Sequence, residues 1–336
     1  MKGLYFPEVK KVEIRDDLPK PIIEPDEVLI KVKNCGICGS DISSYLTGSG
    51  SSQRIILGHE FSGEIAEIGE KVKKWKVGDR VTANPNVPCR NCYWCDRGLE
   101  NMCIFHSKGI THDGALAEYI GIRADRLHHL SDSISFETGA MIETLSNAVY
   151  ATRISGFKVG DNAAVFGAGN IGLLIIQVLK AAGASNIYVV EPVKAKQQLA
   201  LDFGADKIFD SKLWSKIIRL TNKMGPDYVF DCVGIPDTIN ASLTLVRRGG
   251  IIMVIGIYFE PFEIKGFLQF LSKNLTMKGM YLVDQDAFKT SIRLIEQDKI
   301  KLSPLITRRI KLDEAPKAFE DLSNKIHEDI KIMVQI

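Results

Sequence analysis

The sequence predicts a two-domain α/β protein: a mostly-β domain followed by a doubly wound parallel sheet. Three observations carry this. At 336 residues the chain is long for a single hydrophobic core. From Met1 to about Leu130 it reads as short strands separated by Gly, Pro and Asn turns. From Asp161 onward, apolar strands alternate with helical stretches.

In the first region, Val28–Lys33, Phe61–Ile68 and Val77–Thr82 have strand character. Repeated short strands with few helices predict a partly antiparallel, barrel-like domain. A helix from Ser135 to about Arg153 leads out of it. In the second region the strands are Ala163–Phe166, Ile187–Val190, Lys207–Phe209, Tyr228–Asp231, Ile251–Ile255 and Leu275–Met277. Helices at Ile171–Ala182 and Lys194–Phe203 connect the first three. Six apolar strands with helical connections are what a parallel sheet buried on both faces requires. After about Leu282 a helix (Ala287–Gln297) and mixed segments are expected to return to the first domain. The expected domains are therefore 1–150 joined by 283–336, and 151–282.

Hydrophobic residues make up 45% and charged residues 25%, with a formal net charge of +2, so nothing marks a surface for nucleic acid or an anionic membrane. The longest apolar run, Ile171–Leu179, is interrupted by Gly172 and Gln177 and is too short to span a bilayer. The N-terminus has no h-region or cleavage site of a signal peptide, and a cytoplasmic setting is expected. Four of the seven cysteines, Cys89, Cys92, Cys95 and Cys103, fall close together in one loop. Four thiolates at such spacing close a tetrahedral zinc site and leave no position for substrate. The alternative is a disulfide-bearing loop, and a reducing compartment favours metal.

Gly167-Ala-Gly169-Asn170-Ile171-Gly172 lies between a strand and a helix. Gly167 permits the tight turn, Gly169 lets backbone amides approach a pyrophosphate, and Gly172 allows close helix–strand packing. The helix beginning near Asn170 offers free N–H groups to the phosphates. About twenty residues on, Glu191 can accept hydrogen bonds from the adenosine ribose hydroxyls. A carboxylate there favours NAD over NADP, although Lys194 or Lys196 could reach a phosphate.

Two further motifs suggest a second, unsaturated metal site: Cys35-Gly-Ile-Cys38-Gly-Ser40-Asp41 and Gly58-His59-Glu60, with Glu143 as a third candidate. One thiolate, one imidazole and one or two carboxylates leave a coordination position open, as catalytic zinc requires. Cys35 and Cys232 read as buried small hydrophobes, and His128, His129 and His327 as surface residues.

With these motifs the sequence resembles the zinc-containing medium-chain dehydrogenase/reductase family, in its polyol, sorbitol and threonine dehydrogenase branch. The matches are residues 35–41, Gly-His-Glu-Phe-Ser-Gly at 58–63, Val-Gly-Asp-Arg-Val at 77–81, Asp-Gly-Ala-Leu-Ala-Glu-Tyr at 113–119 and Ile-Glu-Thr-Leu-Ser at 142–146, with the four cysteines and the glycine turn. The resemblance covers essentially the whole chain. Glu143, where classical alcohol dehydrogenases carry cysteine, is similar to the polyol branch, and within it the chain looks most like the galactitol-1-phosphate dehydrogenases. The resemblance implies a GroES-like catalytic domain built from both chain ends, a Rossmann domain between them, and a homodimer or homotetramer.

It also implies two zinc ions, a closed structural one at Cys89, Cys92, Cys95 and Cys103 and a catalytic one at Cys38, His59 and one or both of Glu60 and Glu143. The expected reaction is oxidation of a secondary alcohol by hydride transfer to NAD, with Ser40 passing the alcohol proton onward. Many relatives carry a histidine at Ser43. Serine cannot store a proton near neutrality, so release through water or the Ser43 and Ser44 hydroxyls is expected. His112 is the nearest histidine that could substitute, although it also reads as a surface loop residue. Arg54 and the small polar residues of 46–54 would suit a hydroxylated or phosphorylated substrate. A threonine or 2,3-butanediol dehydrogenase is the alternative, and a non-catalytic dinucleotide-binding protein a remote one. A nucleic-acid module is disfavoured because Asp96 and Glu100 accompany Arg90, Tyr93, Trp94 and Arg97.

Overall fold

A computed structural model describes residues 1–103, 107–323 and 328–336; His327 lies outside them. The chain forms two compact units, Met1–Ser146 with Leu282–Ile336, and Asn147–Tyr281. The division falls inside the helix Ile142–Ser155, ahead of the boundary expected at 150.

In the first unit a seven-stranded sheet centres on the long strand Glu27–Gly36. One edge of that strand pairs antiparallel with Glu60–Ile68. Its other edge is shared: Tyr119–Arg123 covers the first half, and the C-terminal strand Lys331–Gln335 covers the last residues. The register Gly36↔Glu60 matters most, because Cys38 lies just beyond one paired end and His59 just before the other. Leu4, Phe6, Ile30, Phe61, Phe319 and Val334 lie in one buried cluster beneath the sheet.

Two expectations are corrected here. The strand expected from Val77 begins at Arg80, because Gly78 takes a positive φ of 90° and Asp79 accepts the Lys76 N–H in a turn. The helix expected from Ser135 is two, Phe136–Ala140 and Ile142–Ser155, separated at Met141. A helix at Gly39–Thr47 adds to the expected elements, although Gly, Ser and Asp at its start favour caps and turns.

His128 is also corrected. Only 8% exposed, its ring stacks on Phe288 at 5.1 Å, and its Nε2 lies 2.7 Å from Gln285 Oε1. His129 is exposed, as expected. Burial pushes the His128 pKa down to about 4. As pH falls below ~6.5 the unfolded chain takes up this proton while the folded one does not. The contribution of His128 is therefore full above ~6.5 and is lost as pH falls toward 4. Urea unfolding of the native protein should weaken by about 2 kcal/mol from this group between pH 7 and 5. His128→Phe should lack that increment, and equal pH slopes for the two would refute the assignment.

The second unit is a six-stranded, all-parallel sheet in the order Lys207–Phe209, Asn186–Val190, Asn162–Phe166, Tyr228–Asp231, Ile251–Val254, Thr276–Gly279. All six expected strands are present. The strand Asn162–Phe166 sits at the switch point, where the chain reverses direction across the sheet and a crevice opens beyond the strand ends.

Candidate active site

Cys38, His59 and Glu60 converge in the first unit, with one ligand atom from each within 4.8 Å of the others. Cys38 precedes the helix Gly39–Thr47, and Asp41 in its first turn holds Cys38 by accepting its N–H at 2.9 Å. The other Asp41 oxygen faces His59 Nδ1 at 3.5 Å; both atoms are buried and neither has a hydrogen-bond partner. His59 Nε2 points the other way, 3.5 Å from Ser40 Oγ.

This is the arrangement of a ligating histidine, with one nitrogen free for metal and the other turned to an orienting carboxylate. Burial opposes a charge on His59, but Asp41 and Cys38 overcome it and raise its pKa well above the usual value. The cluster thus favours a positive charge at its centre, which zinc would supply.

Glu60 is fully buried and paired with Lys331, whose Nζ lies 2.7 and 2.6 Å from its two oxygens. Burial alone would push the Glu60 carboxyl up, but the ammonium reverses this and holds it below the ordinary carboxylate range. Glu143, in the first turn of Ile142–Ser155, does not join the group within 4.8 Å, although its charge helps stabilise Lys331.

The four loop cysteines form the second cluster. Their sulfurs also lie within 4.8 Å of one another, with Cys92–Cys95 at 3.5 Å and Cys89–Cys95 at 4.0 Å. Zn–S bonds of about 2.3 Å in a tetrahedron require sulfurs about 3.8 Å apart, so the set fits zinc. Asp125 anchors this loop, binding Arg90 from within it and Arg123 and Arg126 beside it.

In the second unit, Gly167 takes a φ of 86°, and a Cβ on Gly172 would lie 2.0 Å from the Gly167 carbonyl oxygen. A Cβ on Gly169 would meet nothing within 4 Å, so the helix Asn170–Ala181 begins on open space. These features fit a dinucleotide pyrophosphate. Glu191 already accepts the Ala168 and Val193 N–H groups at 2.7 and 2.8 Å. It braces the turn, and each oxygen keeps a second lone pair for a ribose hydroxyl. Lys196 lies in the first turn of Lys194–Asp202 and is half-buried.

Two family models match the chain: the alcohol dehydrogenase GroES-like domain over residues 24–132, and the zinc-binding dehydrogenase domain over 170–297. A D-xylulose reductase from Saccharomyces cerevisiae is 36% identical, covering 95% of this chain and 92% of its own length. The chain belongs to the zinc-binding dehydrogenase family. Among its relatives, (R,R)-butanediol dehydrogenase from Bacillus subtilis is 33% identical, covering 100% of this chain and 99% of that protein. The crystal structure of galactitol-1-phosphate dehydrogenase from Escherichia coli superposes with a TM-score of 0.92 at 26% identity, covering both chains completely.

Ser43 is half-buried one turn after Ser40. Ser44, by contrast, is buried, and its Oγ lies 2.9 Å from Ser40 O and 3.0 Å from Ser51 Oγ. It ties helix to loop, which leaves Ser43 and water as the expected route. His112 is exposed, with Nδ1 2.9 Å from Thr111 Oγ1. Cys35 is buried in the core, as expected. Asp41 and Lys331 were not singled out from the sequence. Asp41 left a faint signal three residues after Cys38, in a helix-capping position; Lys331 left none.

Proposed function

We propose that this dehydrogenase oxidises the secondary alcohol of a polyol, sugar alcohol or sugar-alcohol phosphate to a ketone, with NAD as acceptor. The observation that carries the reading is the unsaturated donor set of Cys38, His59 and Glu60, beside a separate closed set of four cysteines. Bound at the first set, zinc supplies Lewis acidity toward an alcohol oxygen, and NAD supplies the hydride acceptor. Cys38 and His59 hold the metal, with one or both of Glu60 and Glu143, and Asp41 orients His59. Ser40 accepts the alcohol proton and passes it to Ser43 or water. Gly167, Gly169, Asn170, Ile171 and Gly172 receive the pyrophosphate, while Glu191 and Lys196 flank the adenosine ribose. Arg54 suits a hydroxylated or phosphorylated substrate.

The 33% identity to a butanediol dehydrogenase over the full chain favours a second reading, a vicinal diol without a sugar backbone. Polyols, their phosphates, 2,3-butanediol and L-threonine, each assayed with NAD and NADP for reduced cofactor, separate the two. Turnover of a polyol or its phosphate with NAD supports the first, and turnover of butanediol alone the second. No reduction with any of them overturns both.

A cytoplasmic setting is supported by cysteines placed as thiolate ligands; among the described residues, no helix is long and apolar enough to cross a membrane. A homodimer or homotetramer is supported by the strand Thr276–Gly279, which ends the parallel sheet with its outer edge unpaired among the described residues. The preceding segment exposes Ile257, Tyr258, Phe259, Phe267 and Leu268, as a surface awaiting a second copy would.

A further inference from the structure

Lys331 has no part in the chemistry above, yet it is among the most deeply placed charges of the first unit, 3% exposed. Its Nζ donates to both Glu60 oxygens and, at 3.0 Å, to the Ile37 carbonyl, so all three ammonium protons are used. The C-terminal strand delivers it: the pairing Met333↔Gly36 brings Lys331 to the sheet end where Cys38, His59 and Glu60 converge. Gly36 completes the cradle, since a Cβ there would lie 2.2 Å from Glu60 Oε2.

A buried ion pair is a poor way to gain stability, because apolar residues of similar size usually do as well or better. Here the pair engages a carboxylate that also stands among the metal donors. Two charge-assisted hydrogen bonds draw electron density from both Glu60 oxygens and fix their position. A metal reaching for the remaining lone pairs competes with the ammonium.

We propose that Lys331 is a positioning residue that keeps Glu60 a weak, displaceable ligand, so that one coordination position at the Cys38–His59 site stays open to the alcohol. This rests on the reading of Cys38 and His59 as metal ligands. Without the ammonium, Glu60 would bind the metal firmly and close the site.

Cobalt(II) in place of zinc tests it in the full-length protein, comparing the unmodified chain with Lys331→Met, Lys331→Gln, Lys331→Arg and the double variant Lys331→Met with Glu60→Gln. The expected result for Lys331→Met and Lys331→Gln is a changed visible cobalt spectrum and release to a chelator slowed by about tenfold or more. Lys331→Arg should restore the original spectrum, and the double variant should release metal quickly again. Metal should also raise the unfolding temperature of Lys331→Met more than that of the unmodified protein. The two neutral variants guard against one failing to fold. Spectra and release rates unchanged in both, or release faster in both, would overturn the proposal. Uptake of a single ion per unmodified chain would instead overturn the site itself, and the proposal with it.

Discussion

Cys38→Ser is expected to abolish turnover and to leave one zinc per chain, at the four-cysteine loop. Among the described residues the unmodified chain has two donor clusters, and of these only the one at Cys38 is unsaturated. Cys38 supplies its one thiolate. A serine hydroxyl stays protonated at neutral pH and binds zinc poorly, so His59 and a carboxylate already paired with Lys331 would have to hold the ion. With Glu143 outside the 4.8 Å group, those two donors fall short of the three protein ligands that catalytic zinc sites use. The substitution is small, and the half-buried Cys38 enters its helix through a backbone N–H that serine keeps, so folding should survive. Zinc analysis and steady-state assay on the same preparation check it. Turnover at the native rate, or two ions retained, would remove Cys38 from the ligand set.

The outcome at Cys38 also bears on how much of the site could be read from sequence. The four central parallel strands were legible because they are buried on both faces and so read as continuous apolar runs, whereas the edge strands Lys207–Phe209 and Thr276–Gly279 are largely exposed. The cysteine loop and the glycine turn were legible because their chemistry depends on local spacing. Where a feature depends on distant partners, the sequence was mute. Lys331 meets Glu60 across 271 positions, and a lone lysine near a chain end carries no local mark. His128 looks like a polar strand end until Phe288 and Gln285 arrive to cover it. The helix Gly39–Thr47 was hidden for another reason. Its first residues, Gly39, Ser40 and Asp41, favour caps and turns, and only two of its side chains beyond Asp41 are buried. Asp41 was visible within its motif, but its task beside His59 depends on the register of two strands that meet at Gly36 and Glu60.

Cys103→Ser should likewise leave one zinc per chain, with the opposite consequence for chemistry. The loop it belongs to has two short 3₁₀ turns, Cys95–Arg97 and Glu100–Met102, whose buried residues are limited to Asn101. With so little apolar surface to hold it, the metal must do so, and structural zinc sites contribute about 10 kcal/mol or more of apparent binding energy. Cys103 is the fully buried sulfur of the set, and it accepts the Cys89 N–H at 3.3 Å, joining both ends of the loop. Serine there removes the thiolate and the bridge together. The loop should open and become the first site of proteolysis, while Asp125 keeps Arg123 and Arg126 beside it in place. Cys38, His59 and Glu60 hang on other strands, so turnover should persist in undigested protein. Limited proteolysis with zinc analysis decides it: two retained ions, or an unchanged cleavage pattern, would deny the loop its structural metal. Equal zinc content with turnover lost at Cys38 and kept at Cys103 is what separates an open site from a closed one in the same unit.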